Sequence, residues 1–279
     1  MSHVATPERR SRVQPAPALP WYRKQSVGVA VEIAVPVALL AIWWVASASS
    51  TSTFFPPLSK ILTRFGDLWF FDHFASDILP SVGNLFAGFA LGGIFGVLIG
   101  VVLGQFQRLN WLFVPIIDFS RAIPPVALVP IFVALFGFGN EVRIGTIAIA
   151  ALFPTLISTI DGMRSIDPQL GDVLKVYGLT WAERLFQVDL PAASPRIVSG
   201  LQVSLQVSFV VMIASEILGS SKGIGAMTLL AQQTFAIADM WAGIILLGIL
   251  GYLVNLLFNL FRKWILKWYI RSQQLGKEM

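Results

Sequence analysis

The first candidates for chemistry are polar side chains that interrupt long apolar segments. Asp118 and Arg121 lie three residues apart in one such segment, a spacing that lets an acid and a base pair on one helix face. Arg121 either attracts an anionic solute, is neutralised by Asp118, or reaches the membrane surface. Because a charge inside a membrane is costly, we favour the pairing and expect both side chains to face a bundle interior or an interface.

A second polar group lies further along the chain. Gln202 and Gln206 are four residues apart, and uncharged amides suit a pathway that passes a polar solute without trapping it. Hydrogen bonding between helices explains these amides about as well. Glu216 follows near the end of the same apolar segment, where it forms part of an outer gate or caps the helix end. The candidate pathway or gate residues are therefore Arg121, Gln202, Gln206 and Glu216.

Residue types exclude several kinds of active centre. The sequence has no cysteine, which excludes thiol catalysis and iron–sulfur clusters, and the two histidines, His3 and His73, are too far apart to suggest a metal site. No Ser–His pairing or cluster of His, Asp and Glu indicates an enzyme. The phosphate-binding pattern G-x-x-x-x-G-K-[ST] is missing, so the sequence has no phosphate-cradling loop of this kind. We expect no catalysis, no metal and no cofactor in this chain.

The composition indicates an integral membrane protein. Hydrophobic residues make up 56% of the 279 residues, charged residues only 13%, and the mean hydropathy is +0.74. A spanning helix needs about 20 mostly apolar residues, and six segments meet that requirement. They are residues 27–48, 82–104, 111–136, 143–161, 197–218 and 241–262. The sequence therefore predicts an all-α, polytopic membrane bundle of six transmembrane helices.

Basic residues predict the orientation of the bundle. Of the 20 Lys and Arg residues, 15 fall in the tails and loops on one side, 4 fall on the other side, and Arg121 lies inside a span. Such residues are enriched in cytoplasmic segments, so we expect both termini in the cytoplasm. The same bias explains the net charge of +5 without a nucleic-acid partner. The predicted membrane domain, 27–268, lies between a mobile tail at 1–26 and a second tail at 269–279.

The second predicted span carries a stripe of glycines, one every four residues. A repeated G-x-x-x-G stripe lets two helix backbones approach closely, so we expect a packing surface without chemistry. Its neighbour is either a helix of this chain or a second subunit. The members of the stripe are Gly88, Gly92, Gly96, Gly100 and Gly104. In the first span, Glu32 has no obvious partner and receives no role.

The polar segment between the fourth and fifth spans, about 162–196, has the pattern of two short helices. Its first apolar face has the i, i+3, i+4, i+7 spacing of a helix, in Leu170, Val173, Leu174 and Tyr177. Gly178 then allows a turn that side chains resist. Such a helix–Gly–helix element lies on lipid headgroups or presses into a groove of another protein.

The second short helix has its own start and stop signals. Thr180 and Glu183 have capping-box spacing, so the helix should begin at Trp181. Pro191 and Pro195 should end it. Trp181, with Leu185 and Val188, should give it an apolar face.

This polar segment resembles the cytoplasmic signature of the membrane subunits of ABC importers. That signature is Glu-Ala-Ala, three residues, Gly, nine residues, then Ile, any residue and Leu-Pro. Here the triplet 172–174 precedes Gly178 at the right spacing, although Asp replaces Glu, and Val and Leu replace the two Ala. The resemblance assigns coupling to an ATPase to Asp172, Val173, Leu174, Gly178, Val188, Leu190 and Pro191.

The resemblance covers about 27–268, with further matching stretches at 56–62, 81–89, 121–125, 153–154 and 214–225. Together these stretches resemble the nitrate/sulfonate/taurine branch of binding-protein-dependent type I importers. The resemblance implies a permease subunit that forms the pathway for a small anionic solute. It implies as partners a dimer of cytoplasmic ABC ATPases carrying ATP and Mg, a second permease subunit of the same sequence, an external binding protein and membrane lipid.

A secondary transporter driven by an ion gradient is the alternative function. That class commonly uses buried carboxylates and inverted repeats. The sequence shows few acids inside its spans and no clear inverted repeat, and a secondary transporter has no use for the helix–Gly–helix segment.

Overall fold

The computed structural model of the chain describes residues 25–167, 169–170, 174, 176–269 and 271, and the regular structure in this part is helical. Three π-turns, at Asp67–Asp72, Phe74–Ile78 and Leu185–Asp189, and a 3₁₀ turn at Pro125–Leu128 connect some of the helices. The α-helices, in chain order, are α1 Gln25–Ser47, α2 Leu58–Gly66, α3 Leu79–Gln105, α4 Gln107–Ala122, α5 Val129–Phe136, α6 Asn140–Arg164, α7 Trp181–Arg184, α8 Leu190–Gly219, α9 Ile224–Gln233 and α10 Ile237–Ile265.

Four helices in the described part of the chain are long and apolar enough to cross a membrane. They are Phe74–Gln105, which contains α3; Asn140–Arg164; Trp181–Gly219, which joins α7 to α8; and Ile237–Ile265. The bent pair α4 and α5 is a fifth candidate, and α1 has 23 residues, with side chains described from residue 34 onward. The all-α membrane bundle is confirmed, and the count of six spans stays a prediction.

The third predicted span, 111–136, consists of two helices instead of one continuous helix. α4 ends at Ala122, and Ile123 is extended, with φ −81 and ψ 118. The residue before a proline is pushed out of the helical region, and Pro124 follows Ile123 here. The axes of Gln107–Ala122 and Pro125–Phe136 meet at 83°. The predicted single span is therefore broken at its proline pair.

The centre of the fold is the packing of α3, α6 and α8, which we call the three-helix core. The glycine stripe of α3 faces α6 of the same chain. A Cβ at Gly92 would lie 2.2 Å from the Ala148 carbonyl oxygen, and a Cβ at Gly96 would lie 2.8 Å from Thr155 Cβ. Both distances are shorter than van der Waals contact, so glycine is what permits this approach of the two backbones.

The contact between α6 and α8 combines close packing with buried hydroxyl groups. Thr155 Oγ1 and Ser204 Oγ are 2.6 Å apart, and Ser204 Oγ donates to the Ala151 carbonyl oxygen (2.8 Å). A Cβ at Gly200 would lie 2.3 Å from Ser158 Cβ. α3, α6 and α8 therefore form one body. We name its two ends the Trp181 end, where α3 and α6 finish, and the Glu216 end, where they begin.

Candidate functional site

At the Trp181 end, the structure describes part of the predicted coupling segment. Asp172 and Val173 lie outside the described residues, and Leu174 is partly buried. Gly178 has φ +68, a left-handed conformation that glycine adopts without strain. Among the described residues, no atom lies within 4 Å of a Cβ built at Gly178. The backbone angle, and not a lack of space, is therefore what favours glycine at this predicted turn.

The second helix of the segment begins at Trp181, as predicted. The Glu183 N–H donates to Thr180 Oγ1 (3.3 Å), and the Thr180 N–H donates to Glu183 Oε2 (2.8 Å). These reciprocal bonds satisfy N–H groups that have no partner inside the helix. The capping box is confirmed, and it fixes the direction in which the chain leaves the turn at Gly178.

Pro191 and Pro195 do not end this helix, so that prediction is wrong. α7 continues through the π-turn Leu185–Asp189 into α8, which gives one helix of 39 residues, Trp181–Gly219. Pro191 directly follows the π-turn, where the regular α-helical hydrogen-bond pattern is already interrupted. Pro195 has no N–H for the Pro191 carbonyl, and Ser194 Oγ donates to that carbonyl instead (2.8 Å).

The π-turn also divides the predicted apolar face of the second helix. Leu185 is buried and Val188 partly buried, whereas Trp181 is exposed. The wider π-turn brings residues five apart together, and Arg184 Nε lies 3.2 Å from Asp189 Oδ2. Leu190 and Pro191, two further predicted coupling residues, are partly buried at the start of α8.

Large apolar side chains remain uncovered around this segment. Their exposed fractions lie between 62% and 88%. An exposed apolar patch of this kind marks a contact with lipid headgroups or with another protein. We define the coupling patch as Val176, Tyr177, Trp181 and Phe186.

The structure pairs Arg121 with Asp118. Arg121 Nη2 lies 3.0 Å from Asp118 Oδ1, and the two side chains are 54% and 53% exposed. The pair therefore lies on an uncovered face of α4, outside the three-helix core. An exposed ion pair contributes little to stability. The expected position in the interior of this chain's own bundle is therefore wrong, and a position at an interface stays a prediction.

The two glutamines of α8 have different surroundings. Gln202 Nε2 donates to Asn255 Oδ1 of α10 (3.4 Å), and Gln202 Oε1 accepts from Arg262 Nη1 (3.2 Å). Gln206 is exposed, on a face with Val203 and Val210, which are 50% and 59% exposed. Gln202 therefore joins two helices, whereas Gln206 lies on an uncovered face of a spanning helix.

Glu216 is fully buried and binds the start of the next helix. Its Oε1 accepts a hydrogen bond from Ser81 Oγ of α3, and its Oε2 accepts from the Gly225 N–H of α9 (2.9 Å). A Cβ at Gly223, where φ is +113, would lie 2.5 Å from Glu216 Cδ. Glu216 therefore caps α9 and not its own helix.

A second acid supports the same helix start. Asp77 Oδ1 accepts from the Gly223 N–H (2.7 Å), and Asp77 Oδ2 lies 2.8 Å from His73 Nδ1. Ser81 Oγ accepts from the Ile224 N–H (3.3 Å). We define the α9 clamp as Asp77, Ser81 and Glu216 with the N–H groups of residues 223–225. Asp77 and Ser81 were not predicted as site residues, since only the fold brings them to Glu216.

A buried cation lies beside the α9 clamp. Arg143, at the start of α6, has 8% of its surface exposed. Its Nη2 donates to Asn140 Oδ1 (2.6 Å), and its Nη1 donates to the Lys222 carbonyl oxygen (3.4 Å). α6 therefore also holds the loop that leads into α9. No role was predicted for Arg143 from the sequence, because its burial depends on contacts that only the fold brings together.

Comparisons with known proteins identify the family of this chain. Residues 92–271 match the family model described as binding-protein-dependent transport system inner membrane component. The putative aliphatic sulfonates transport permease protein of Bacillus subtilis (strain 168) is 31% identical over 84% of this chain and 86% of its own length. The bicarbonate transport system permease protein of Synechococcus elongatus is 30% identical over 96% and 99%. The taurine transport system permease protein of Escherichia coli (strain K12) is 28% identical over 90% and 94%.

A solved structure has the same fold. An inward-facing methionine ABC transporter superposes with a TM-score of 0.60 at 19% identity, over 68% of this chain and 94% of the other. The relatives are permease proteins, which are transport components and not enzymes. Their family works with a separate ATPase and a solute-binding protein, and its members are multi-pass membrane proteins. The chain therefore belongs to the binding-protein-dependent inner membrane components and is a permease subunit of an ABC importer.

Proposed function

We propose that this permease pairs with a second copy of itself and forms the pathway of a small anionic solute across the bacterial inner membrane. The Trp181 end and both termini face the cytoplasm, and the Glu216 end faces outward. A dimer of ABC ATPases, which carries ATP and Mg, binds the Trp181 end. An external binding protein delivers the solute to the Glu216 end.

The solute class follows from the relatives. Their names give aliphatic sulfonates, bicarbonate and taurine, all of them small molecules with an anionic group. Arg121 is paired with Asp118, so this pair offers no net positive charge to an anion. The anionic solute is therefore proposed from the relatives alone, and its selection is left chiefly to the binding protein.

The observation that carries the pathway is the exposure of Gln206 in a spanning helix. An amide that faces hydrocarbon without a partner costs several kcal/mol. Gln206 has no such partner among the described residues and lies on a face with Val203 and Val210. We therefore assign this face of α8 to the polar pathway between two subunits. Gln202, whose amide is used by Asn255 and Arg262, lies beside that pathway as a helix contact.

The coupling patch supports the position of the ATPase. Its four apolar side chains project from a turn and a helix start that are both fixed locally, by φ +68 at Gly178 and by the capping box at Thr180. A rigid apolar projection of this kind suits a groove on another protein. Asp172, Val173, Leu174 and Gly178 would belong to the part of the segment that enters the groove.

Transport in liposomes tests this function. Uptake of labelled taurine, an alkanesulfonate or bicarbonate should require the ATPase, ATP and the binding protein together. Gln206→Leu should lower uptake about ten-fold, because a leucine removes the polar group from the pathway wall. Tyr252→Leu, at an exposed position of the spanning helix α10, is the matched control and should transport normally. Uptake by the purified chain alone under a proton gradient would instead establish the secondary transporter.

A further inference from the structure

One helix joins the two ends of the three-helix core. Trp181–Gly219 has 39 residues, which corresponds to about 58 Å at 1.5 Å per residue. It begins in the coupling patch, at Trp181, and carries Glu216 in its last turn. We call this helix, Trp181–Gly219, the rod, because it runs without a break from the proposed ATPase contact to the opposite end of the bundle.

The rod is attached along its length to its neighbours. The Gly200–Ser158 approach and the Thr155–Ser204 hydroxyl pair hold α8 against α6. Close packing of this kind transmits displacement and does not absorb it, because packed interiors have low compressibility. A push at the Trp181 end should therefore reach Glu216 as a movement of the whole rod.

At the far end, the α9 clamp passes this movement to a separate short helix. The first N–H groups of a helix have no partner inside it, and those of α9 are taken by groups from other helices. Glu216 holds Gly225, Asp77 holds Gly223, and Ser81 holds Ile224. Two acids at this end also match the positive pole of the α9 dipole.

The clamp joins the rod directly to α3 as well. Ser81 Oγ donates to Glu216 and accepts from Ile224, so one hydroxyl connects α3, α8 and α9. Arg143 adds a bond from α6 to the Lys222 carbonyl oxygen. α9 is therefore positioned by all three helices of the three-helix core. It contacts the rod through the Glu216 carboxylate and through the close approach of Gly225 to the Ile213 carbonyl oxygen, which an added Cβ would meet at 2.8 Å.

From these contacts we infer that Glu216 and Asp77 are positioning residues that fix α9 to the rod, so that α9 and the coupling segment move together and relay binding-protein contact to the ATPase. This inference rests on the proposed coupling of the Trp181 end to an ATPase. It assigns to Glu216 a role in transmission between the two ends, without contact with the solute.

ATPase activity of the complete importer in liposomes tests the relay. Glu216→Ala should lower the maximal stimulation by loaded binding protein about five-fold. Basal hydrolysis, co-purification with the ATPase and the half-saturating concentration of binding protein should stay within about two-fold. A variant that merely unfolds would lose basal hydrolysis and co-purification along with the stimulation. A variant that has only lost a docking contact would show a higher half-saturating concentration of binding protein.

Matched variants of Asp77 show whether the relay needs the hydrogen bond to the Gly223 N–H or the negative charge of the carboxylate. Asp77→Asn keeps an Oδ1 acceptor for the Gly223 N–H and should retain most of the stimulation, whereas Asp77→Ala should lose it as Glu216→Ala does. Glu141→Ala removes an exposed carboxylate at the same end and should behave as the unsubstituted protein.

Two results would overturn the relay, and they differ from each other. Normal maximal stimulation in both Glu216→Ala and Asp77→Ala would show that the clamp transmits nothing, while the proposed importer stands. Failure of the unsubstituted chain to co-purify with any ATPase, or to respond to binding protein, would remove the proposed function and the relay with it. If Glu216→Ala does not assemble, the Asp77→Ala and Asp77→Asn pair decides.

Discussion

Phe235 occupies a left-handed backbone position, with φ +58, at the end of α9. The Ala236 N–H donates to the Ala231 carbonyl oxygen (2.8 Å), and the Phe235 N–H donates to the Gln232 carbonyl oxygen (3.2 Å). This pair of bonds is the Schellman motif, whose left-handed position usually holds glycine. A side chain at that position is strained, so the sequence keeps a phenylalanine where glycine would fit more easily.

Phe235→Gly should stabilise the protein. The substitution removes roughly 1–2 kcal/mol of left-handed strain from the folded state. It also costs roughly 0.5–1 kcal/mol, because glycine gives the unfolded chain more conformational entropy to lose on folding. Phe235 is 69% exposed, so little buried surface is lost. We expect a net gain of about 0.5–1 kcal/mol, seen as a higher midpoint of thermal unfolding in detergent. Phe235→Ala keeps the Cβ atom and should show no gain, and an equal rise in both variants would refute the strain.

Among single residues, the sequence predicted those whose signal is local. The turn at Gly178, the capping box at Thr180 and the Asp118–Arg121 spacing all follow from residues a few positions apart. Glu216 was found because an acid near the end of an apolar segment is unusual. Asp77 was not, since its partner Gly223 is far away in sequence and is a backbone N–H group.

The packing of α3 against α6 gives a testable prediction for the glycine stripe. Gly92→Ala places a Cβ 2.2 Å from a backbone oxygen of α6, and backbone cannot move aside as a side chain does. We expect a loss of about 1–3 kcal/mol from overpacking, measured as a lower midpoint of thermal unfolding. Gly83→Ala lies in the same helix, where no atom in the described part of the chain comes within 4 Å of an added Cβ, and it is the matched control. It should be neutral or slightly stabilising because alanine favours helix, and equal losses would contradict the contact.

The coupling segment should depend on the left-handed backbone angle at Gly178 and not on the small size of glycine. Gly178→Val, a residue that strongly resists positive φ, should uncouple ATP hydrolysis from uptake and lower uptake per ATP about ten-fold. Gly178→Asn tolerates the left-handed region better and should retain most coupling. Uptake and ATP hydrolysis measured together in liposomes decide this. Normal coupling in the valine variant would remove the turn from the mechanism.

Helices were predicted correctly where a single sequence pattern is present. Helix ends were predicted wrongly where a proline lies within or next to a long apolar segment. Pro191 and Pro195 read as a helix stop, but the π-turn Leu185–Asp189 and the Ser194 hydroxyl let the helix continue. Conversely, 111–136 reads as one apolar span, and its proline pair breaks it. Neither signal decides alone, because a proline removes one backbone hydrogen bond and the helix continues only where another group replaces that bond.

At the scale of the molecule, one side of the bundle is much less packed than the other. α3, α6 and α8 have extensive mutual contact, whereas α4 and α5 carry large exposed side chains, with Trp111 and Phe119 each 71% exposed. In a membrane, apolar exposure alone does not distinguish lipid from protein contact. The Asp118–Arg121 pair and Gln206 do distinguish them, since polar groups on a spanning helix favour a protein or water contact.

Cross-linking should show that the Gln206 face meets the second copy. The chain has no cysteine, so Gln206→Cys introduces one thiol per subunit, and two thiols that line one pathway should lie within reach of a short bis-maleimide. Tyr252→Cys, on α10 and also exposed at 67%, is the control that should face lipid. We expect cross-linked dimers on denaturing gels for Gln206→Cys and monomers for Tyr252→Cys. A symmetric pair brings the same face of both subunits to its axis. If the native mass of the complex contains two permease subunits and only Tyr252→Cys gives cross-linked dimers, the pathway lies on α10 instead.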